Sequence, residues 1–218
     1  MAVNKRELFE KALEFEPIFE DYEMKDLSVM GDFLGRHPTL LKKIYKNFQQ
    51  EDGVLTFESE LGPPVIITLN KKLREIKISR TKQLEIIFPI DKFLRFIGLV
   101  DICYIEILPI GSVIELDLDF ALDELKGIMG ETSKAFNVMI IAQKVPLEEN
   151  ENIFADYAVT VWPFGLQKYA SPFLITNLMV RNVVYRGMSN DTEKDYINKI
   201  KEKIVVHRMS SLVYMTKE

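Results

Sequence analysis

Apolar and polar residues repeat along this chain with two periods, and the changes of period mark its elements. Leu8, Ala12 and Phe15 follow Asn4 at helical spacing. Asn4 has N-cap chemistry and Glu7 stands three residues on, a capping-box arrangement that predicts a helix over 4–14, ended or kinked by Pro17. A second helix is expected from about Tyr22 to Leu34, stopped by Gly35, and Pro38 suits the first turn of a third. There Leu40, Leu41, Ile44, Tyr45 and Phe48 form one apolar stripe, with Lys42, Lys43 and Lys46 off it. Such a stripe reads as a core face, with a partner-binding face as the alternative.

After Glu51-Asp52-Gly53 the period falls to two. Val54–Glu60, Val65–Leu69, Leu73–Ser79 and Gln83–Phe88 read as strands, and their short links favour an antiparallel meander, since parallel strands need a long crossover. Ile76 and Ile78 point one way and Glu75, Lys77 and Ser79 the other, so the sheet has a dry face and a wet one. Pro89-Ile90-Asp91 opens a short helix carrying Phe93, Leu94, Phe96 and Ile97, with Gly98 as its stop. Asp101–Ile107 is a further apolar stretch holding Cys103.

Leu108-Pro109-Ile110-Gly111-Ser112 then punctuates the chain. Pro109 and Gly111 make a structural turn, and the residues after Ser112 alternate, with Ile114, Leu116 and Leu118 on one face of a half-buried strand. An inserted helix is expected over about 120–130, from Ala121 to Met129. A strand over Asn137–Lys144, an acidic loop from Pro146 to Asn152 and a strand over Phe154–Trp162 come next. Trp162-Pro163-Phe164-Gly165 ends that strand in an aromatic turn. Phe173–Leu178 and Val180–Tyr185 supply the last strands. A closing helix over about 190–204, capped by Asn190 or Asp191, has Tyr196, Ile197, Ile200 and Ile204 on its expected buried stripe. The predicted fold class is α+β in two parts. Residues 1–100 form helices plus an antiparallel β-meander, and residues 101–218 form a small curved β-sheet or barrel with the inserted and closing helices.

Composition fits a folded chain: 218 residues, 47% hydrophobic and 28% charged. No apolar run follows the basic residues Lys5 and Arg6, so no signal peptide is read, and no window approaches a membrane span of about 18 apolar residues. Cys103 is the sole cysteine and pairs with nothing internally; a reducing cytoplasm is the expected location. The net charge of −5 is unevenly spread: −5 over 1–35, +5 over 36–100, −9 over 101–160 and +4 over 161–218. Acidic 101–160 suits a basic partner or a solvated face. Lysines and arginines crowd residues 71–82, but no aromatic interleaves them, which weakens a nucleic-acid reading.

Candidate chemistry is sparse. Asp117, Asp119, Asp123 and Glu124 lack the pattern and central glycine of a calcium loop and read as a helix N-terminus. Neither His37 nor His207 sits in a pairing motif, and no Gly-rich phosphate loop is present. No catalytic residue, metal ligand or cofactor is assigned.

From about residue 105 to 204 the order of features resembles a family of short proteins of Gram-positive bacteria. Their genes lie beside those for type VII secretion substrates, notably toxins with a long helical LXG targeting domain. The residues that carry the resemblance are Leu108-Pro109-Ile110-Gly111-Ser112-Val113-Ile114 and Val138–Gln143. Asp156–Gly165, and Asn177–Gly187 followed by Asp191–Lys203, complete it. The chain departs at 117–136, where the family has a short turn, and at Phe164, where it has an acidic residue. Its first hundred residues have no counterpart there. The resemblance implies no catalytic residues. It implies a cytoplasmic accessory protein, a chaperone or targeting adaptor, that binds an LXG-type toxin before export. The alternative is an immunity protein that neutralises the toxin domain. The expected partner-binding residues are Trp162, Phe164, Leu166 and Tyr169, because aromatics on a turn bury large area with few rotors to freeze. A role for the same aromatics in the core is the competing reading.

Overall fold

The computed structural model of the chain describes residues 4–48, 53–58, 62–117, 136–166 and 171–215. The helix expected over about 120–130 and the candidate Tyr169 lie outside these residues. The chain divides into two compact units. One comprises Val3–Ile105 with Tyr214–Glu218, the other Met1–Ala2 with Glu106–Val213.

The first unit is built from α1 (Lys5–Glu14), α2 (Met24–Gly35), α3 (Pro38–Phe48), strands β1 (Gly53–Phe57), β2 (Val65–Asn70), β3 (Glu75–Ser79) and β4 (Glu85–Pro89), and α4 (Ile90–Tyr104). The four strands pair in sequence order and all antiparallel, as short links require. Asn4 caps α1 by accepting the Arg6 N–H at 3.1 Å. Its side-chain amide donates to Glu7 at 2.8 Å, so the carboxylate meets the cap's side chain rather than its backbone. Val65, Ile67, Ile76, Ile78, Ile86 and Phe88 form the dry face of the sheet. Phe88 stacks on Phe96 and Tyr22, and Phe19 meets Phe88 and Phe96 edge-on.

Gly98 does not stop α4. The helix runs on to Tyr104 because Leu99, Val100, Ile102, Cys103 and Tyr104 are all buried. Burying each large aliphatic is worth about 1.5–3 kcal/mol, against about 1 kcal/mol for a glycine inside a helix. Two other glycines work by closeness. A Cβ at Gly31 would fall 2.1 Å from the Phe9 ring, and one at Gly35 would fall 2.2 Å from the Tyr104 ring. Only hydrogen lets these rings lie against α2.

The second unit holds β5 (Val113–Leu116), β6 (Asn137–Leu147), β7 (Asn150–Val161), β8 (Phe173–Ile175), β9 (Val180–Tyr185), α5 (Asp191–Val206) and β10 (Ser210–Ser211). They form a six-stranded sheet in the order β10-β7-β6-β5-β9, with β8 also pairing β7. All pairs are antiparallel except β10 with β7. The sheet is open, with neither closure into a barrel nor a curl, which corrects the expectation of a curved sheet or barrel. Closure needs two long, regular edges, whereas β10 contributes two residues and β9 is bulged. The acidic loop expected over 146–152 is largely strand: β6 reaches Leu147, β7 begins at Asn150, and only Glu148 and Glu149 turn. Among the described residues β5 pairs only 137–139 of β6, and Pro146 lies beyond that stretch, where a missing N–H is tolerated.

Ile107, Leu108, Ile114, Leu116, Val138, Ile140, Tyr157, Val159, Ile175 and Met179 make the core of this unit, and Ile197 and Ile200 of α5 pack on it. Tyr196, expected on the same stripe, is exposed. Asn190 caps α5 through the Glu193 N–H at 2.9 Å.

Candidate functional site

The turn at 108–112 is a junction for the second unit. Ser112 N–H donates to the Pro109 carbonyl at 3.1 Å and Gly111 N–H to the Ile140 carbonyl at 2.8 Å, while Ile140 N–H returns to Ser112 at 2.9 Å. Gln143 Nε2 donates to the Leu108 carbonyl at 2.8 Å, and Leu108 N–H donates to the buried Tyr157 hydroxyl at 3.0 Å. Gly187 N–H reaches Ser112 Oγ at 3.0 Å. Gly111 has φ +84°, and a Cβ there would meet nothing within 4 Å, so glycine is needed for conformation and not for space.

A second network was not foreseen. Asp156 is fully buried on β7 and pairs with Lys144 across on β6, whose side chain is 2% exposed. Its other oxygen accepts the Asn177 N–H and the Ser211 hydroxyl, each at 2.9 Å. The carboxylate thus ties β6, the segment after β8 and β10 to one strand, and its lone pairs are well used. Lys144 sits at φ +46°, a left-handed conformation unusual for a side chain of that size. One signal was visible: Asp156 is the one charged residue of the run Phe154–Val161, which is otherwise apolar but for Thr160.

The sequence-derived partner residues lie where β7 ends. Trp162 N–H donates to the Asn137 carbonyl at 3.0 Å, closing the last rung. A cis Trp162–Pro163 bond turns the chain, Gly165 N–H returns to the Val161 carbonyl at 2.9 Å, and Gly165 takes φ +66°. Trp162 is 49% exposed, and Phe164 and Leu166 are each 65% exposed. The backbone is therefore fixed by hydrogen bonds while three large apolar side chains face solvent. Tyr169 lies outside the described residues.

The remaining candidates are placed as follows. His37 Nδ1 lies 2.7 Å from the Phe33 carbonyl and its ring packs on Phe33, a packed histidine by geometry. His207 is the C-cap of α5 and lines a cleft of about 520 Å³ with Glu148, Glu151, Lys203 and Met209. Cys103 is buried in α4. Among the basic residues of the meander, Lys77 pairs with Glu85 at 2.7 Å and Arg80 lies 4.3 Å over the Phe33 ring. Asp117 is described, while Asp119, Asp123 and Glu124 are not. Among the described residues no group of three or more His, Cys, Asp or Glu is placed to hold a metal ion, and no helix is long and apolar enough to cross a membrane. Set against protein-family models, curated proteins and solved structures, the chain matches none of them.

Proposed function

We propose that the chain is a non-enzymatic cytoplasmic binding protein, an accessory factor of the chaperone or targeting-adaptor kind, whose client is a type VII-secreted toxin of the LXG class. The observation that carries this reading is the turn Trp162–Leu166, held by two backbone hydrogen bonds and apolar at its tip. A long amphipathic helix awaiting export has an apolar stripe that must be covered, and large, stiff aromatics cover such stripes at low entropic cost. The resemblance of residues 105–204 to proteins encoded beside LXG toxins supplies the client class.

An immunity role is favoured by a different feature. Glu148, Glu149 and Glu151 are exposed together at the β6–β7 turn, a charge pattern that suits a basic toxin domain. Co-purification separates the two. The adaptor reading expects the full chain to capture the isolated helical LXG domain and to lose it on Trp162→Ala with Phe164→Ala. Capture of the isolated toxic domain instead would make this an immunity protein.

A further inference from the structure

Arg80 places a charge on the apolar side of the first sheet. Ile76 and Ile78 are buried on β3, and the strand's alternation, carried one step further, brings Arg80 to the same face at the sheet's rim. The residue is half-buried there. Its guanidinium carbon lies 4.3 Å over the ring of Phe33, which is itself buried on α2, and Phe57 of β1 meets that ring edge-on at 6.1 Å. The β1–β2 link also lies against it, since a Cβ on Gly62 would fall 3.3 Å from Nη2. The backbone is held too: Arg80 N–H donates to the Leu84 carbonyl at 3.0 Å, and Thr81 Oγ1 accepts the Leu84 N–H at 3.0 Å. The head group is thus positioned before any ligand arrives.

What this arginine lacks is an acceptor. Nε is closed to solvent and has no hydrogen-bond partner, and among the described residues Nη1 and Nη2 have none either. Lys77 on the same strand differs, since it pairs with Glu85, and so does Arg95 on α4, which pairs with Glu16. Stacking on an aromatic ring attracts the charge but satisfies none of its N–H donors. A partly desolvated guanidinium without a counter-ion is destabilising, and a residue that breaks the apolar pattern of its face in this way is expected at a functional position. The chemistry of the missing group follows. A planar fork of N–H donors matches two oxygens in one plane, and a single positive charge matches a single negative one. Both describe a carboxylate, whereas a phosphate would carry nearly twice the charge. The surrounding segment 36–100 has a net charge of +5, which favours the approach of an acid.

We propose that Arg80, walled by Phe33 and Gly62, is a binding site for the carboxylate of an acidic side chain on a protein partner. The proposal is independent of the client reading, and its test uses no toxin. NMR follows the Arg80 Nε–Hε resonance and the Gly62 amide of the full chain during titration with a blocked tripeptide whose glutamate carries its sole charge. The glutamine tripeptide and inorganic phosphate at matched ionic strength are the other arms. The expected result is a saturable shift of both signals with the glutamate peptide, half complete at about 1 to 10 mM, and none with the glutamine peptide. Arg80→Lys keeps the charge but loses the fork, and should weaken the Gly62 response about fivefold or more. Arg80→Met should abolish it with a melting temperature no lower than that of the parent chain, because an unpaired charge has been removed. A shift that does not saturate, or one that persists in Arg80→Met, overturns the proposal. Tighter binding of phosphate overturns the carboxylate assignment. So does an Arg80 resonance that moves on Glu60→Gln and ignores the peptide, since the acid would then be the chain's own. A lowered melt in Arg80→Met with no peptide response in the parent chain would mark a purely structural arginine.

Discussion

Asp156 and Gly111 show two ways in which one residue holds a β-unit together. Removing Asp156 would strand the Lys144 ammonium in a site that is almost closed to water. An uncompensated buried charge costs far more than the pair itself contributes. Asp156→Ala should therefore lower stability by about 3–5 kcal/mol in urea unfolding, and replacing both partners with apolar residues of similar volume should cost less. A double variant no better than Asp156→Ala would show that Asn177 and Ser211 are the partners that matter. Gly111 is a backbone case. Its φ of +84° suits glycine, so Gly111→Val should cost roughly 1–3 kcal/mol despite the open space beside it. An unchanged melting temperature would contradict this. Tyr104 provides a pH dependence. Burial, aided by the Asp32 carboxylate, pushes its phenol well above the ordinary value. A folded-state pKa raised above the unfolded value of about 10 gives stabilisation that is complete below that pH and lost as pH rises through the folded one. Unfolding free energy should fall on raising the pH above about 10, and Tyr104→Phe should lessen the slope. Tyr22, shifted upward by burial and then by Asp21 and Asp91, retains part of it. An identical alkaline slope in the variant would contradict the assignment.

At the scale of elements, local chemistry was legible and long-range chemistry was not. Caps are local: Asn4 and Asn190 were readable as helix starts because an amide side chain before a periodic run has one favourable use, and both accept the expected N–H groups. Asn190→Ala should cost about 1 kcal/mol; a melt unchanged within error would show that Ser189 and Asp191 suffice without it. The antiparallel meander was legible for the same reason, since short links leave no other pairing. Gly98 misled because propensity is local while the burial that overrides it comes from other elements. Pro146 misled in the same way, as its place in the strand depends on how far β5 extends along β6. Openness of the second sheet rests on the bulges at Arg181 and Val184, which no periodicity in VRNVVY announces. Of the candidate site, the stiff turn was legible in Pro163 and Gly165, and the aromatics in their crowding. The Lys144–Asp156 pair was not, because two charges in separate strands reveal their pairing only through register.

At the scale of the whole molecule, the junction residues supply a frame for the second unit. Ser112, Gln143, Tyr157, Asp156, Asn177 and Gly187 are each tied by hydrogen bonds within the second unit. Their work is structural, so what the protein binds depends on the surfaces placed upon that frame. Trp162 is the chain's sole tryptophan, and it stands half-exposed on the surface proposed for the client. Its emission is thus a direct report from the site. The decisive measurement is a fluorescence titration of the full chain with a tryptophan-free helical LXG domain. The expected result is a blue shift as Trp162 leaves water, and an affinity loss of about 2 kcal/mol, or roughly thirtyfold, in Phe164→Ala. Binding that leaves both the Trp162 emission and the Phe164→Ala affinity unchanged would contradict it.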